Sequence, residues 1–128
     1  MAARLDILAV GISAVDDIVY IDEAPQLNGK HAVCKSTRHA GGLAATAMAA
    51  AARLGGAVSY VARFDEGELS RFMTRRFDEF GVRTDGLIRD PQGEPYHSVS
   101  GVDAATGSRT IFYDCRNFRQ PTAADLSD

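Results

Sequence analysis

Residues 41–56 read Gly41-Gly42-Leu43-Ala44-Ala45-Thr46-Ala47-Met48-Ala49-Ala50-Ala51-Ala52-Arg53-Leu54-Gly55-Gly56. Alanine has the highest intrinsic propensity for helix, so this run predicts a helix that begins after the paired glycines. A glycine just past the last helical residue is a common helix end, and Gly55 stands at that position. The small side chains of such a helix allow it to pack very closely against a sheet.

Strands and a second helix are predicted on both sides of this helix. Residues 5–10 and 58–62 are short apolar runs, which are typical of buried strands in a parallel sheet. Between residues 68 and 80 the apolar side chains recur at helical spacing, and Gly81 is the expected end of that helix. Helices that alternate with buried strands predict an α/β fold with right-handed crossovers.

Two further segments have the pattern of strands outside the main core. Residues 16–38 contain β-like stretches at 18–21 and 31–37, separated by a turn-rich segment, and have too little apolar content for a core. Residues 97–113 read as a hairpin with a glycine in its turn. We expect the first segment to lie over one edge of the sheet, within a single domain that spans residues 1–128.

The composition excludes several classes of protein. The 128 residues include 14 Lys and Arg against 17 Asp and Glu, so the net charge is −3, which does not favour nucleic acid as a partner. No window of about 18 apolar residues is present, so the sequence predicts no membrane span. Cysteine and histidine are too scattered for metal-ligand spacing, so no metal site is expected.

The first residues read as a strand rather than a signal peptide. Their apolar run is short and contains Asp6, which is unlike the apolar region of a secretory signal. This pattern favours a cytoplasmic location.

Three features of the sequence are candidates for ligand binding. Asp16 follows the predicted first strand, at the edge where ligands bind in open α/β sheets, although a solvated or capping aspartate has the same pattern. Gly41 and Gly42 open the alanine helix, where a ligand can approach the backbone closely, or where the chain makes a plain tight turn. Lys30 follows a turn and is either a binding cation or a solvated side chain.

The combination of these features is more specific than any one of them. The pattern runs Val10-Gly11-Ile12-x-x-x-Asp16, then Gly41-Gly42-x-Ala44-Ala45-Thr46-Ala47, then Ala52-Arg53-Leu54-Gly55-Gly56. It resembles the N-terminal half of the PfkB (ribokinase-like) carbohydrate kinases, and the Gly29-Lys30 pair is most similar to the sulfofructose kinase branch. The resemblance implies the N-terminal portion of a three-layer α/β/α core. It also implies a small β-sheet lid made of residues 16–38 and the hairpin at 97–113.

The resemblance also implies a function and a set of sugar-binding residues. PfkB kinases transfer a phosphoryl group from ATP, with Mg²⁺, to a sugar hydroxyl, and their lid often forms a homodimer contact. The family's sugar-binding aspartate and glycine pair fall on Asp16, Gly41 and Gly42, and its usual asparagine falls on Thr46. Lys30 matches a position that helps to hold an anionic end of the substrate in the sulfofructose branch.

The chain departs from the family pattern at two places. The usual Val-Gly-Asp-Asp turn is replaced by Phe64-Asp65-Glu66-Gly67. The downstream Gly-Ala-Gly-Asp motif, which supplies the catalytic base, has no match, and the family's ATP and Mg²⁺ sites lie in the same missing half. We therefore expect the sugar-binding and lid half of a kinase, with no catalytic or cofactor-binding residue of its own. The alternative is a non-catalytic sugar-binding or dimerisation module derived from such a kinase.

The 128-residue chain alone is predicted to give no ATP-dependent phosphorylation of a sugar. Phosphoryl transfer depends on positioning and electrostatic stabilisation, so loss of the base and its anion hole should remove most of the rate. A coupled ADP-release assay over a panel of sugars measures this. Turnover above the buffer blank, dependent on both sugar and ATP, would refute the assignment to a catalytically incomplete half.

Overall fold

The computed structural model describes residues 4–126. Within this range the chain forms seven strands, two α-helices and a short 3₁₀ turn. In chain order they are β1 Ile7–Val10, β2 Ala14–Ile21, β3 Lys35–Gly41, α1 Leu43–Arg53, β4 Val58–Phe64, α2 Glu68–Phe80, β5 Leu87–Arg89, β6 Tyr96–Asp103, β7 Arg109–Asp114 and the 3₁₀ turn Ala123–Leu126. The order of elements confirms the α/β class predicted from the sequence.

The first of two sheets is parallel and holds the hydrophobic core. Its strand order is β1-β4-β5, and helices α1 and α2 connect these strands and contact each other. Alternate residues of the central strand β4 point into the core, where they meet methionine and phenylalanine side chains of the helices. The buried members of this group are Met48, Val58, Tyr60, Ala62, Phe64, Met73 and Phe77.

Strand β1 forms one edge of the parallel sheet. It pairs with β4 along one side, and its other side has no strand partner among residues 4–126. The side chains of Ile7, Leu8 and Val10 are exposed on this strand. An apolar strand is thus accessible at the edge of the sheet.

The second sheet has four strands in the order β3-β2-β6-β7. Strands β2 and β6 run parallel, and the two outer pairs are antiparallel. The stretch predicted at 18–21 lies within β2 but starts four residues too late, and the stretch predicted at 31–37 overlaps β3 only at residues 35–37, because the strands cover 14–21 and 35–41. Asp16 and Asp17 therefore lie inside β2 rather than before it, since each carboxylate finds a partner on a neighbouring strand.

An ionic cluster ties this four-stranded sheet to helix α2. Arg38 on β3 donates two hydrogen bonds to Asp17, at 2.6 and 2.8 Å, and also pairs with Glu68 in the first turn of α2. His97 Nε2 lies 2.7 Å from Asp17 Oδ2. The Arg38 guanidinium also lies 5.8 Å from the centre of the Phe72 ring. Three strands and one helix thus meet at Asp17.

The cluster lowers the pKa of Asp17 from 3.8 to about 2, chiefly through the hydrogen bonds from Arg38 and further through His97. Since this pKa falls on folding, the cluster stabilises the fold above about pH 4. The contribution is lost as the pH falls from about 4 to about 2.

The Asp17→Asn variant is expected to lose about 1 kcal/mol of unfolding free energy at pH 7, the size of a partly buried ion pair. Its stability should then fall less than the parent's between about pH 4 and pH 2, because the titrating carboxyl is gone. Urea denaturation across this pH range measures both effects. Glu68→Gln is the control, because it removes only the exposed arm of the cluster; an equal loss in both variants would contradict a central role for Asp17.

Candidate functional site

The structure brings Asp16 and Gly41 together on one face of the four-stranded sheet. Asp16 is the third residue of β2, and Gly41 pairs with Ala14 two residues before it. Alternate residues of a strand share a face, so Asp16 and Gly41 are close neighbours. A Cβ atom added to Gly41 would collide with Asp16 Oδ2, so glycine at this position leaves the space that the carboxylate occupies.

Ser98 on β6 holds the other oxygen of this carboxylate. The parallel register of β2 and β6 places Ser98 beside Asp16, and Ser98 Oγ donates a hydrogen bond to Asp16 Oδ1 at 2.5 Å. The sequence analysis did not identify Ser98. The alternation of residues 97–102 indicates a strand, but no local pattern specifies that this strand pairs with β2.

An open cavity of about 580 Å³ lies along the same face. Asp16 is the one carboxylate among its lining residues and Arg109 is the one cation; the others are hydroxyl, aliphatic and aromatic. The full set is Ala14, Asp16, Ile18, Tyr96, Ser98, Ser100, Val102, Arg109, Ile111 and Tyr113. A mainly apolar wall with a few convergent polar groups is the usual make-up of a small-molecule site. Carboxylate and hydroxyl oxygens can accept hydrogen bonds from a polyol, and the apolar walls can pack against its carbon skeleton.

Gly42 lets the link between β1 and β2 cross the start of helix α1. Its φ of 92° is in the region that favours glycine, and an added Cβ would lie 2.7 Å from the Cα of Ser13. The link itself is held by Ala45 N, which donates to Ile12 O at 3.4 Å, and by the buried Tyr60 hydroxyl, which donates to Gly11 O at 2.6 Å. In this structure Gly42 supports close packing beneath the site.

Thr46 and Lys30 do not join Asp16 in the cavity. Thr46 is exposed on α1 and lines a separate groove of about 300 Å³ between α1 and α2, which it shares with Gly41. Lys30 is exposed in the loop between β2 and β3, and within residues 4–126 it makes no hydrogen bond or ion pair. A role for either residue in binding stays a prediction.

The altered turn after β4 serves to start helix α2. Asp65 Oδ1 accepts hydrogen bonds from Gly67 N at 3.0 Å and from Ser70 Oγ at 2.6 Å. The first bond closes a turn before α2, and the second joins this turn to the side chain of Ser70 in the first turn of the helix. Asp65 is therefore engaged locally and does not line the cavity that contains Asp16.

The described part of the chain contains neither a metal-binding cluster nor a membrane-spanning helix. Within residues 4–126, no group of three or more His, Cys, Asp or Glu side chains is arranged to hold a metal ion. Neither α-helix of this range has the length and apolar character required to cross a bilayer.

Comparison with known proteins identifies the family. The model of the pfkB family of carbohydrate kinases matches residues 4–126. The chain belongs to this family. The resemblance inferred from the glycine and alanine motifs is thereby confirmed, and this pfkB-family chain has many solved structural neighbours.

Three neighbours illustrate how much of the family fold the chain contains. A fructokinase from Xylella fastidiosa with bound ATP is 28% identical, with a TM-score of 0.63, and the match covers 84% of this chain and 32% of that one. A ribokinase from Arabidopsis thaliana complexed with ribose and ATP is 23% identical, with a TM-score of 0.74 and coverage of 89% and 36%. A ribokinase from Cryptococcus neoformans var. grubii serotype A in complex with ADP is 22% identical, with a TM-score of 0.69 and coverage of 84% and 34%. The chain thus spans about a third of the length of these structures.

Replacement of Gly42 by alanine is expected to destabilise the fold more than the same change at Gly55. Both glycines have φ near 92°, so each substitution incurs backbone strain of about 1–3 kcal/mol. Only at Gly42 does the new Cβ also collide with the backbone of residues 12 and 13, whereas nothing lies within 4 Å at Gly55. Chemical denaturation of both variants measures the difference, and equal losses would show that the crossing at Gly42 is not tight.

Proposed function

We propose that the chain is the sugar-binding and lid portion of an ATP-dependent carbohydrate kinase, which transfers a phosphoryl group to a sugar hydroxyl. The observation that carries this proposal is the Asp16 carboxylate, seated over Gly41 in a cavity of hydroxyl and apolar side chains. Family membership supports the reaction class, and a related ribokinase complexed with ribose and ATP supports the two substrates.

Asp16 is proposed to accept hydrogen bonds from sugar hydroxyls. Hydrogen bonds to a charged acceptor contribute about 1.5–3 kcal/mol each, more than neutral pairs do. Ile18, Ile111 and Tyr113 line the same cavity and offer apolar surface to the carbon face of a sugar ring. A site with one charged acceptor and apolar walls favours a neutral, hydroxyl-rich ligand in the part of the cavity next to Asp16.

Four further residues complete the proposed substrate contacts. Gly41, Gly42 and Thr46 lie at the start of α1, and Gly41 and Thr46 line the separate groove between α1 and α2, which we assign to the part of a sugar that extends beyond Asp16. Lys30 is proposed to reach an anionic group of the substrate from its exposed loop. Arg109 is a second candidate for that task, because it already lines the cavity with Asp16.

ATP and Mg²⁺ are proposed to bind to residues outside this chain, together with the catalytic base of the family's Gly-Ala-Gly-Asp motif. The chain spans only about a third of the related structures, some of which hold ATP or ADP. In kinases Mg²⁺ is held by one or two carboxylates together with the phosphates of the nucleotide, which we propose to bind outside this chain. We therefore assign no step of the transfer to a metal ion held by these residues.

A second function is favoured by the outer strand of the four-stranded sheet. Phe112 and Tyr113 on β7 are 69% and 70% exposed and Ile111 is 48% exposed, so this edge strand carries three consecutive exposed large apolar side chains. We propose that this sheet, the lid of the family, contacts a second copy of the chain. In the alternative assignment, the chain is a non-catalytic sugar-binding or dimerisation module and this contact is its main role.

Sugar binding is expected to raise the melting temperature of the parent chain clearly more than that of Asp16→Asn. A ligand at about 100 times its Kd stabilises the folded state by about 2.7 kcal/mol, and loss of the charged acceptor should weaken binding at least about tenfold. Thermal unfolding with D-ribose, D-fructose and their phosphates measures this. Glu23→Gln, which removes the same charge from an exposed loop, is the control. A sugar that stabilises the parent and Asp16→Asn equally would exclude Asp16 from the site.

A further inference from the structure

The strongest contact to the Asp16 carboxylate comes from a residue 82 positions away in the sequence. Ser98 Oγ donates to Asp16 Oδ1 at 2.5 Å, which is within the range of charge-assisted hydroxyl–carboxylate hydrogen bonds. Ser98 is only 8% exposed, and both residues line the cavity described above. The serine donor is thus buried, whereas the Asp16 carboxylate is half-buried at the wall of the cavity, where a hydrogen bond to a charged group is stronger than in water.

The two oxygens of Asp16 have different surroundings. Oδ1 is held by Ser98, whereas Oδ2 lies above the α-carbon of Gly41, which offers no side-chain donor. The terminal torsion of an aspartate is broad, so a free carboxylate samples many orientations. The hydrogen bond from Ser98 restricts this rotation and keeps Oδ2 over Gly41.

The donor capacity of Ser98 is fully used in this arrangement. A serine hydroxyl has one hydrogen to donate and two lone pairs with which to accept. Since its hydrogen points to Asp16, Ser98 Oγ can only accept from a molecule in the cavity. An ionised carboxylate also only accepts, so the pair presents acceptors alone and requires a ligand that donates.

We propose that Ser98 is the positioning residue for Asp16, and that together they receive two neighbouring hydroxyl groups of the sugar. The inference rests on the proposed function of Asp16 as a sugar acceptor. Ser98 fixes the carboxylate before the ligand arrives, so less conformational freedom is lost on binding. Its own Oγ lone pairs accept from the hydroxyl next to the one that Asp16 binds.

Ser100 provides a matched control on the same strand. It follows Ser98 by two residues on the same face of β6, it is 7% exposed, and it lines the same cavity. It makes no hydrogen bond with Asp16 among the contacts of the described residues. Ser98→Ala and Ser100→Ala therefore remove the same atom from equally buried positions, and only the first removes the contact to the carboxylate.

The first measurement is the dissociation constant for whichever of D-ribose or D-fructose binds the parent more tightly, obtained by calorimetry. Ser98→Ala is expected to weaken binding at least about tenfold, the loss of one hydrogen bond to a charged group. Ser98→Thr, which keeps the hydroxyl, should restore binding to within about threefold of the parent, and Ser100→Ala, which removes a cavity hydroxyl but no contact to Asp16, should weaken binding less than Ser98→Ala does. Equal affinities for Ser98→Ala and Ser100→Ala would overturn the proposal.

A measurement without ligand separates this proposal from the proposed function. The NMR signal of the Asp16 carboxyl carbon should move in Ser98→Ala and stay unchanged in Ser100→Ala; an unchanged signal in both would refute the contact. If the parent binds sugar and Asp16→Asn does not, but Ser98→Ala binds normally, only the role of Ser98 fails. If neither sugar binds the parent, both proposals fail, whatever the NMR result.

Mono-deoxy derivatives of the bound sugar test whether the site requires two hydrogen-bond donors on the ligand. Removal of either of two neighbouring hydroxyls is expected to weaken binding about tenfold or more, because each deletion leaves an acceptor in the cavity without its sugar partner. The same deletions should matter less in Ser98→Ala, which has already lost one acceptor. Sensitivity at a single position would contradict paired acceptance by Ser98 and Asp16.

Discussion

The parallel pairing of β2 with β6 is the constraint on which the rest of the structure depends. Parallel neighbours cannot be joined by a tight turn, so the chain must make a long crossover between them. That crossover contains β3, α1, β4, α2 and β5, which together include the helical core and most of the parallel sheet. The core therefore connects and spaces the two strands that carry Asp16 and Ser98. Correct register between these strands is needed for the cavity to exist, because a shift of one residue would turn Asp16 to the other face.

Adjacent aspartates on β2 have separate tasks because successive residues of a strand point to opposite faces. Asp17 faces helix α2, where Arg38 and His97 occupy both of its oxygens. Asp16 faces the cavity, where Ser98 occupies one oxygen and Gly41 leaves room for the other. Asp17 thus connects β2 to helix α2, and Asp16 has one oxygen available to bind a ligand.

The sequence predicted those features that local patterns encode. The alanine run gave α1 with its glycine borders, helical spacing gave α2, and the strand–helix order gave the α/β class. The family followed from glycine and alanine motifs around Asp16 and Gly41. The start of β2 at Ala14, the position of β3 and the contact with Ser98 could not be predicted, because they depend on pairing between segments about 20 to 80 residues apart. The polar residues at 16–17 favour a turn locally, and tertiary partners override that preference.

The free side of β1 has a consequence for handling the protein. Among residues 4–126, the backbone amides and carbonyls on this side of β1 have no strand partner, and they lie beside the exposed Ile7, Leu8 and Val10 in a strand without the Pro or Lys that protects many edge strands. An extended apolar peptide can pair with such an edge strand, and so can β1 of another molecule. An exposed edge strand of this kind favours self-association of the protein. Coverage of β1 by further polypeptide or by a partner would prevent it.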